Sequence, residues 1–308
     1  EGRTEGASNV KAKNVWAGPT NTFVLDTNNK LWACGPNEYG VLGQGNNDMY
    51  YNFVEVKIDG LDLNKTEIEL HPISVDQQQY SSVILECSDG RVYGCGYNRY
   101  GGFGIGTVQN YNKFIELSAY NKIWKNPKKI ASQGIFLYVI TQDGELYSSG
   151  YNGYGTLCLG HTNHINNLTK VTENVKDVVI RANSRVVFLK ESGDLYTNNN
   201  NGEIVKLNGL QDSELQFLGG TAVISNNQYY LINIDTNNLD RKYSSYEISN
   251  EIINLGTMTG FISNNKIYLE GYPNITKPKS KSLYELRKIF TGAQFVQSGG
   301  NNINIVDN

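Results

Sequence analysis

The chain has 308 residues, 39% of them hydrophobic and 19% charged, and 27 Lys and Arg against 30 Asp and Glu leave a net charge of −3. That balance excludes a broadly basic nucleic-acid binder and offers no polybasic membrane patch, and no run of 18 apolar residues exists to form a transmembrane helix. The outliers are 32 Gly, 21 Tyr and 40 Asn beside only 6 Pro. With Val, Ile, Leu and Tyr evenly interspersed, this composition predicts many short strands joined by tight turns rather than disorder.

In chain order, Thr22 to Gly45 reads TFVLDTNNKLWACGPNEYGVLGQG. An apolar strand runs to the pair Asn28-Asn29, a second strand carries Trp32, and a glycine-rich hook follows with Gly35, Asn37, Glu38, Tyr39 and Gly40. Residues 46–75 come next, with Asp48, Met49, Tyr50 and Tyr51 and the acids Glu67 and Glu69. This stretch reads either as an inserted wedge that engages a partner or as an ordinary connection carrying an outer strand. Ser82 to Gly106 repeats the first pattern, with Asp89-Gly90, then Tyr93, then Gly96, Tyr97, Asn98, Arg99, Tyr100 and Gly101. Leu137 to Gly160 repeats it again, with Asp143-Gly144, Tyr147, and Gly150, Tyr151, Asn152, Gly153, Tyr154 and Gly155. The Asn-Asn and Asp-Gly pairs tolerate positive φ and predict two-residue type I′ hairpins. A closing Gly-x-Gly ends the first two hooks (Gly43 and Gly45, Gly104 and Gly106), whereas Cys158 stands at the first of these positions in the third.

Four fainter copies follow. They are Val186–Leu189 with Leu195-Tyr196, Ala222–Ile224 with Tyr229-Tyr230, Phe261-Ile262 with Ile267-Tyr268, and Phe295-Val296 with Ile303–Val306. Seven copies in 308 residues average 44 each, the size of one four-stranded propeller blade. A lone sheet of this kind cannot bury both faces, but sheets stacked around an axis can. The expectation is therefore an all-β, seven-bladed β-propeller, a single domain over 1–308. The seventh copy stops at Asp307-Asn308, where its hook is due, while Gly2 to Gly6 offers such a hook at the other end. The N-terminal segment is thus expected to complete the last blade and close the ring, leaving no open edge.

The order of apolar strand, Asp-Gly turn, Val-Tyr and Gly-x-Asn-x-Tyr-Gly-x-Leu-Gly resembles the repeats of the regulator of chromosome condensation (RCC1-like) family. The match is strong from about Val15 to Gly160 and weaker but in phase beyond. The resemblance implies a seven-bladed propeller that acts by binding proteins. Members include exchange factors for Ran-type small GTPases, bacterial mimics of these, inhibitors that grip an enzyme with one propeller face, and scaffolds. Fold alone does not choose among them.

The chemical inventory gives catalysis little to work with. The histidines are His71, His161 and His164; His161-x-x-His164 has the spacing of a metal pair but no adjacent Cys or carboxylate to complete a site. No nucleophile elbow, phosphate loop or zinc signature occurs, and no cofactor is expected. The four cysteines, Cys34, Cys87, Cys95 and Cys158, read as small buried hydrophobes. Site candidates are the hook aromatics, because equivalent residues of a propeller fall on one face. Tyr39, Tyr100 and Tyr154 are expected to form an arc across three blades, with Glu38 and Arg99 varying in charge beside them and Tyr97 and Tyr151 next to the hook asparagines. Tyr and Arg dominate interface energetics; the competing reading is that each Tyr packs on the neighbouring blade. The expected partner is a protein, a small GTPase being one form of it, with neither nucleic acid nor membrane insertion involved. The opening Glu-Gly-Arg suggests a processed or excised domain, with a lean toward an exported or surface protein.

Overall fold

The computed structural model describes residues 11–18, 20–75, 80–181, 185–209, 211–218, 222–225, 228–233, 238–243, 252–255, 258–263, 266–270, 279–282, 293–299 and 302–307. Among these residues lie six four-stranded antiparallel sheets and one two-stranded sheet, each a meander in chain order. The first sheet comprises β1 (Ala12–Ala17), β2 (Thr22–Asp26), β3 (Leu31–Gly35) and β4 (Tyr50–Val56). The second comprises β5 (Ile68–Val75), β6 (Tyr80–Cys87), β7 (Val92–Gly96) and β8 (Tyr111–Glu116), and the third β9 (Lys129–Ser132), β10 (Phe136–Ile140), β11 (Leu146–Gly150) and β12 (Ile165–Thr172). The fourth sheet runs from β13 (Val175–Arg181) through β14 (Arg185–Lys190) and β15 (Leu195–Asn198) to β16 (Ile204–Lys206). The three faint later copies fall on the hairpins 222–233, 258–270 and 293–307.

The chain divides into two compact units: Glu1–Glu173 with Asn200–Gly202, and Asn174–Asn199 with Glu203–Asn308. In the first unit the core lies between sheets. Val83 and Leu85 of β6 join Trp16, Phe23, Leu31 and Leu42 in one buried cluster, while Ile84 joins Phe103, Trp124, Leu137 and Val139 in another. That period of two, apolar on both faces, is what a strand sandwiched between neighbouring sheets requires. In the second unit Val187, Leu189, Leu195, Phe217 and Val223 form the corresponding cluster. Trp124, on a 3-10 turn between the second and third sheets, donates its indole N–H to the Phe103 carbonyl at 2.8 Å. It plugs the base of the second hook.

The turns correct the hairpin expectation. In the first four copies the strands close over three residues, as in Asn29 N–H to Asp26 O (3.0 Å) with Asp26 N–H to Lys30 O (2.9 Å), and Gly90 N–H to Cys87 O (2.9 Å) with Cys87 N–H to Arg91 O (2.9 Å). Only the last loop residue is left-handed: Asn29 (φ 57°), Gly90 (86°), Gly144 (76°) and Gly193 (85°). This is a type I turn followed by a bulge, not a type I′ pair, so the Asp or Asn before the glycine needs no positive φ. The later hairpins do close over two residues, Ser225 pairing with Gln228 and Ser263 with Lys266. The turn pairs expected there, Asn226-Asn227 and Asn264-Asn265, lie outside the described residues, as do residues 1–10, Gly300 of the seventh copy's Gly299-Gly300 turn and the expected ring closure.

Residues 46–75 contain the rest of the first hook, β4, and a turn whose Ile58, Leu61 and Leu63 pack on the first core, before β5 begins. The stretch thus carries the outer strand of the first sheet, a connection and β5, the first strand of the second sheet.

Candidate protein-binding face

Each of the first three hooks spans 14 residues, 36–49, 97–110 and 151–164, between the third and fourth strands of its sheet. A loop this long needs its own internal fixings, and the hook asparagine supplies them. Asn98, 1% exposed, accepts the Phe103 N–H (2.9 Å) and donates to the Thr107 carbonyl (3.1 Å). Asn37 accepts from Leu42 N–H (2.8 Å) and donates to Asn46 O (3.0 Å); Asn152 accepts from Leu157 N–H (2.9 Å) and donates to His161 O (2.8 Å) and Asn163 O (3.0 Å). In each case one buried amide ties both arms of the loop, satisfying backbone groups that water cannot reach.

The first two hooks then dock on the next sheet, and the third on the loop segment Asn200–Gly202. Gly45 N–H bonds Asn112 O and Gly106 N–H bonds Asn166 O, both at 2.7 Å, and Gly160 N–H bonds Gly202 O at 2.8 Å. The approach is close enough that a β-carbon on Gly101 (φ 75°) would lie 2.5 Å from the Asn166 Cα. Cys158 occupies the left-handed position of Gly43 and Gly104 at φ 57°, its thiol 3.4 Å from the hydroxyl of buried Tyr138, which also donates to Thr156 O.

This docking brings the predicted aromatics together as one row. Tyr39 meets Tyr97 of the next hook edge-on at 5.0 Å and 75°, and Tyr97 leans on Tyr100 at 6.1 Å and 58°. The same two steps repeat: Tyr100 to Tyr151 at 5.1 Å and 72°, then Tyr151 to Tyr154 at 6.1 Å and 58°. The rings are not equally available. Tyr97 is buried, Tyr39, Tyr100 and Tyr151 are half-buried, and Tyr154 is 61% exposed. The rings pack across neighbouring sheets, and the row ends in the exposed ring of Tyr154. Burial, followed by the neighbouring Tyr154 and Tyr100 hydroxyls, pushes the Tyr151 phenol up, so it stays neutral. Glu38 and Arg99 are exposed at equivalent positions. At the third such position Gly153 leaves room for the Tyr151 hydroxyl, which would be 2.2 Å from an added β-carbon.

The row has a member that the sequence reading missed as such. His164 lies 5.1 Å from the Tyr100 ring and 4.7 Å from Tyr151, and its Nδ1 accepts the Asn152 N–H at 3.0 Å. Asn110 does the same for Asn98 N–H at 2.9 Å, again 12 residues downstream; that shared spacing was the available signal. His161 Nδ1 accepts the Asn163 N–H at 3.2 Å. A backbone N–H can only donate, so both Nδ1 atoms offer lone pairs to the hook itself. Among the described residues, no group of three or more His, Cys, Asp or Glu comes together as a metal site, and no described helix is long and apolar enough to cross a membrane.

No family model matches the chain. It is 24% identical over 174 residues to the X-linked retinitis pigmentosa GTPase regulator of Canis lupus familiaris, covering 53% of this chain and 16% of that protein. The chain thus spans only a small part of that relative. Among solved structures it resembles human WBSCR16, with a TM-score of 0.67 and 14% identity over 97% of this chain and 88% of that one. It resembles Prp20p of Saccharomyces cerevisiae, the yeast RCC1, equally well, with a TM-score of 0.67 and 13% identity over 93% and 80%. What the chain shares with these proteins is an RCC1-like β-propeller fold.

Proposed function

We propose that this chain is a single seven-bladed ring, sealed by its N-terminal segment, and that it binds a partner protein on the hook face without performing covalent chemistry. One observation carries the reading: the repeated row Tyr39, Tyr97, Tyr100, Tyr151 and Tyr154, ending in a ring that is 61% exposed. Large, rigid, amphipathic rings with few rotatable bonds lose little entropy on binding and dominate interface energies. The thiols suit structural roles. Burial, with the Asp89 charge adding to it, pushes Cys87 up to about 12, and burial pushes Cys95 well up, so neither is a nucleophile at neutral pH.

A second reading is exchange on a Ran-like small GTPase. It is favoured by the GTPase regulator relative and by Prp20p, whose structure was described together with its binding to Gsp1p and histones. The two readings separate in two measurements. Affinity capture from source cells with the wild-type chain and with the Tyr39→Ala, Tyr100→Ala, Tyr154→Ala triple variant is expected to retain a protein on the first and lose it on the second. Nucleotide release from the captured or a Ran-like GTPase, accelerated by substoichiometric chain, would replace binding-only function with exchange. Equal capture by both chains would sink the hook face as the contact surface.

A further inference from the structure

The two exposed charges on the hook face differ in sign at the same structural position. Glu38 precedes Tyr39 on the first hook and Arg99 precedes Tyr100 on the second, both side chains are exposed, and neither makes an ion pair among the described residues. On the third hook the position is Gly153, which is neutral and filled by the Tyr151 hydroxyl. Along the row, one blade step consists of a 5.0 Å and a 6.1 Å ring-to-ring move, Tyr39 to Tyr97 to Tyr100. An extended chain advances about 3.3 Å per residue, so roughly three of its residues cross one blade. Two opposite charges one blade apart thus match a basic and an acidic side chain about three residues apart on one extended segment.

Resting on the hook-face reading, we infer that the occupant is an extended peptide segment carrying one basic and one acidic side chain about three residues apart. The base faces Glu38, the acid faces Arg99, and an uncharged stretch runs over Tyr151 and Tyr154. The tyrosines supply most of the affinity, because they remove apolar surface from water. The two charges set register and reject wrongly charged segments, as solvent-exposed charges at an interface do. Each exposed pair contributes only a few-fold, and salt screens it.

The test uses three fluorescent ten-residue peptides of Ala, Pro and one central Leu. They carry Lys and Glu, two Lys, or two Glu, in each case three positions apart. Anisotropy titrations at low salt are run against the wild-type chain, Glu38→Arg, Arg99→Glu and Tyr154→Ala. The wild type is expected to prefer the mixed peptide by roughly threefold over both others. Glu38→Arg should shift the preference to the two-Glu peptide, Arg99→Glu should shift it to the two-Lys peptide, and high salt should erase both. Equal binding of all three peptides, or preferences that do not follow the substitutions, would overturn the charge assignment. Absence of binding to any peptide, while the captured protein still binds, would overturn the extended occupant. Failure of the underlying reading looks different: peptide affinity would then be unchanged in Tyr154→Ala.

Discussion

The first three copies and the fourth solve the same problem at different lengths. Fourteen residues join the third strand to the fourth in each early copy, whereas five, Asn199–Glu203, join β15 to β16. The short version is complete as structure. Asn199 N–H bonds Glu203 O at 3.0 Å, Glu203 N–H bonds the Asn199 side chain at 3.0 Å, and buried Asn198 accepts the Val186 N–H at 3.0 Å. A blade of this kind closes without a hook. The extra length in the early copies therefore carries something else, and what it carries is a layer of buried asparagines and a row of tyrosines that runs from buried Tyr97 to exposed Tyr154. If the proposed face is the binding surface, shape and recognition fall on different residues of one loop and should respond separately to substitution.

The largest expected effect falls on shape. Gly101→Ala forces a β-carbon to 2.5 Å from the backbone of the neighbouring strand at a positive φ, and should cost about 3 kcal/mol or more of stability in urea titrations. It should also uncouple the second hook from the third, broadening the ring signals of Tyr100 and Tyr151 in NMR spectra.

A smaller loss, without change at the hooks, is expected at the hairpin turn of the first sheet. Asp26 accepts N–H bonds from Asn28, Lys30 and the Trp32 indole. Burial pushes its carboxyl up, but these bonds and the Lys30 charge outweigh it and hold the group below the usual carboxylate range. Because the folded value lies below the unfolded one, the contribution is present above the ordinary Asp value of about 4 and is lost as pH falls through the folded value. Asp26→Asn should cost about 1 kcal/mol at neutral pH, since a charged acceptor is replaced by a neutral one. The variant should lose that part of the acid dependence while binding per folded molecule stays constant.

The smallest effect compares the hooks directly. Cys158→Gly relieves a left-handed non-glycine but removes a buried thiol beside Tyr138, so the net change should stay within about 1 kcal/mol. Gly104→Cys at the equivalent position places a β-carbon 2.6 Å from Leu168 and should be several times more costly in the same denaturation assay.

The repeats were legible because each hairpin turn and each hook asparagine is fixed within its own copy: Asn37, Asn98 and Asn152 each bond partners 5 to 11 residues away. The turn type was not. A dipeptide shows which residues tolerate positive φ, but not that the loop has a third residue and needs only one of them left-handed. The alternating T-shaped and tilted ring steps were also hidden, since Tyr39 meets Tyr97 only after two sheets have docked. The same is true of His164, which read as a structural or solvated histidine, while its place in the row came from standing where Asn110 stands.

Tyr154 gives the most direct test, because a ring that is 61% exposed can be removed without opening a core. Stability of Tyr154→Ala should remain within about 0.5 kcal/mol of the wild type. Its affinity for the captured partner, measured by calorimetry, should fall tenfold or more. Unchanged affinity at unchanged stability would contradict the hook face as the binding surface.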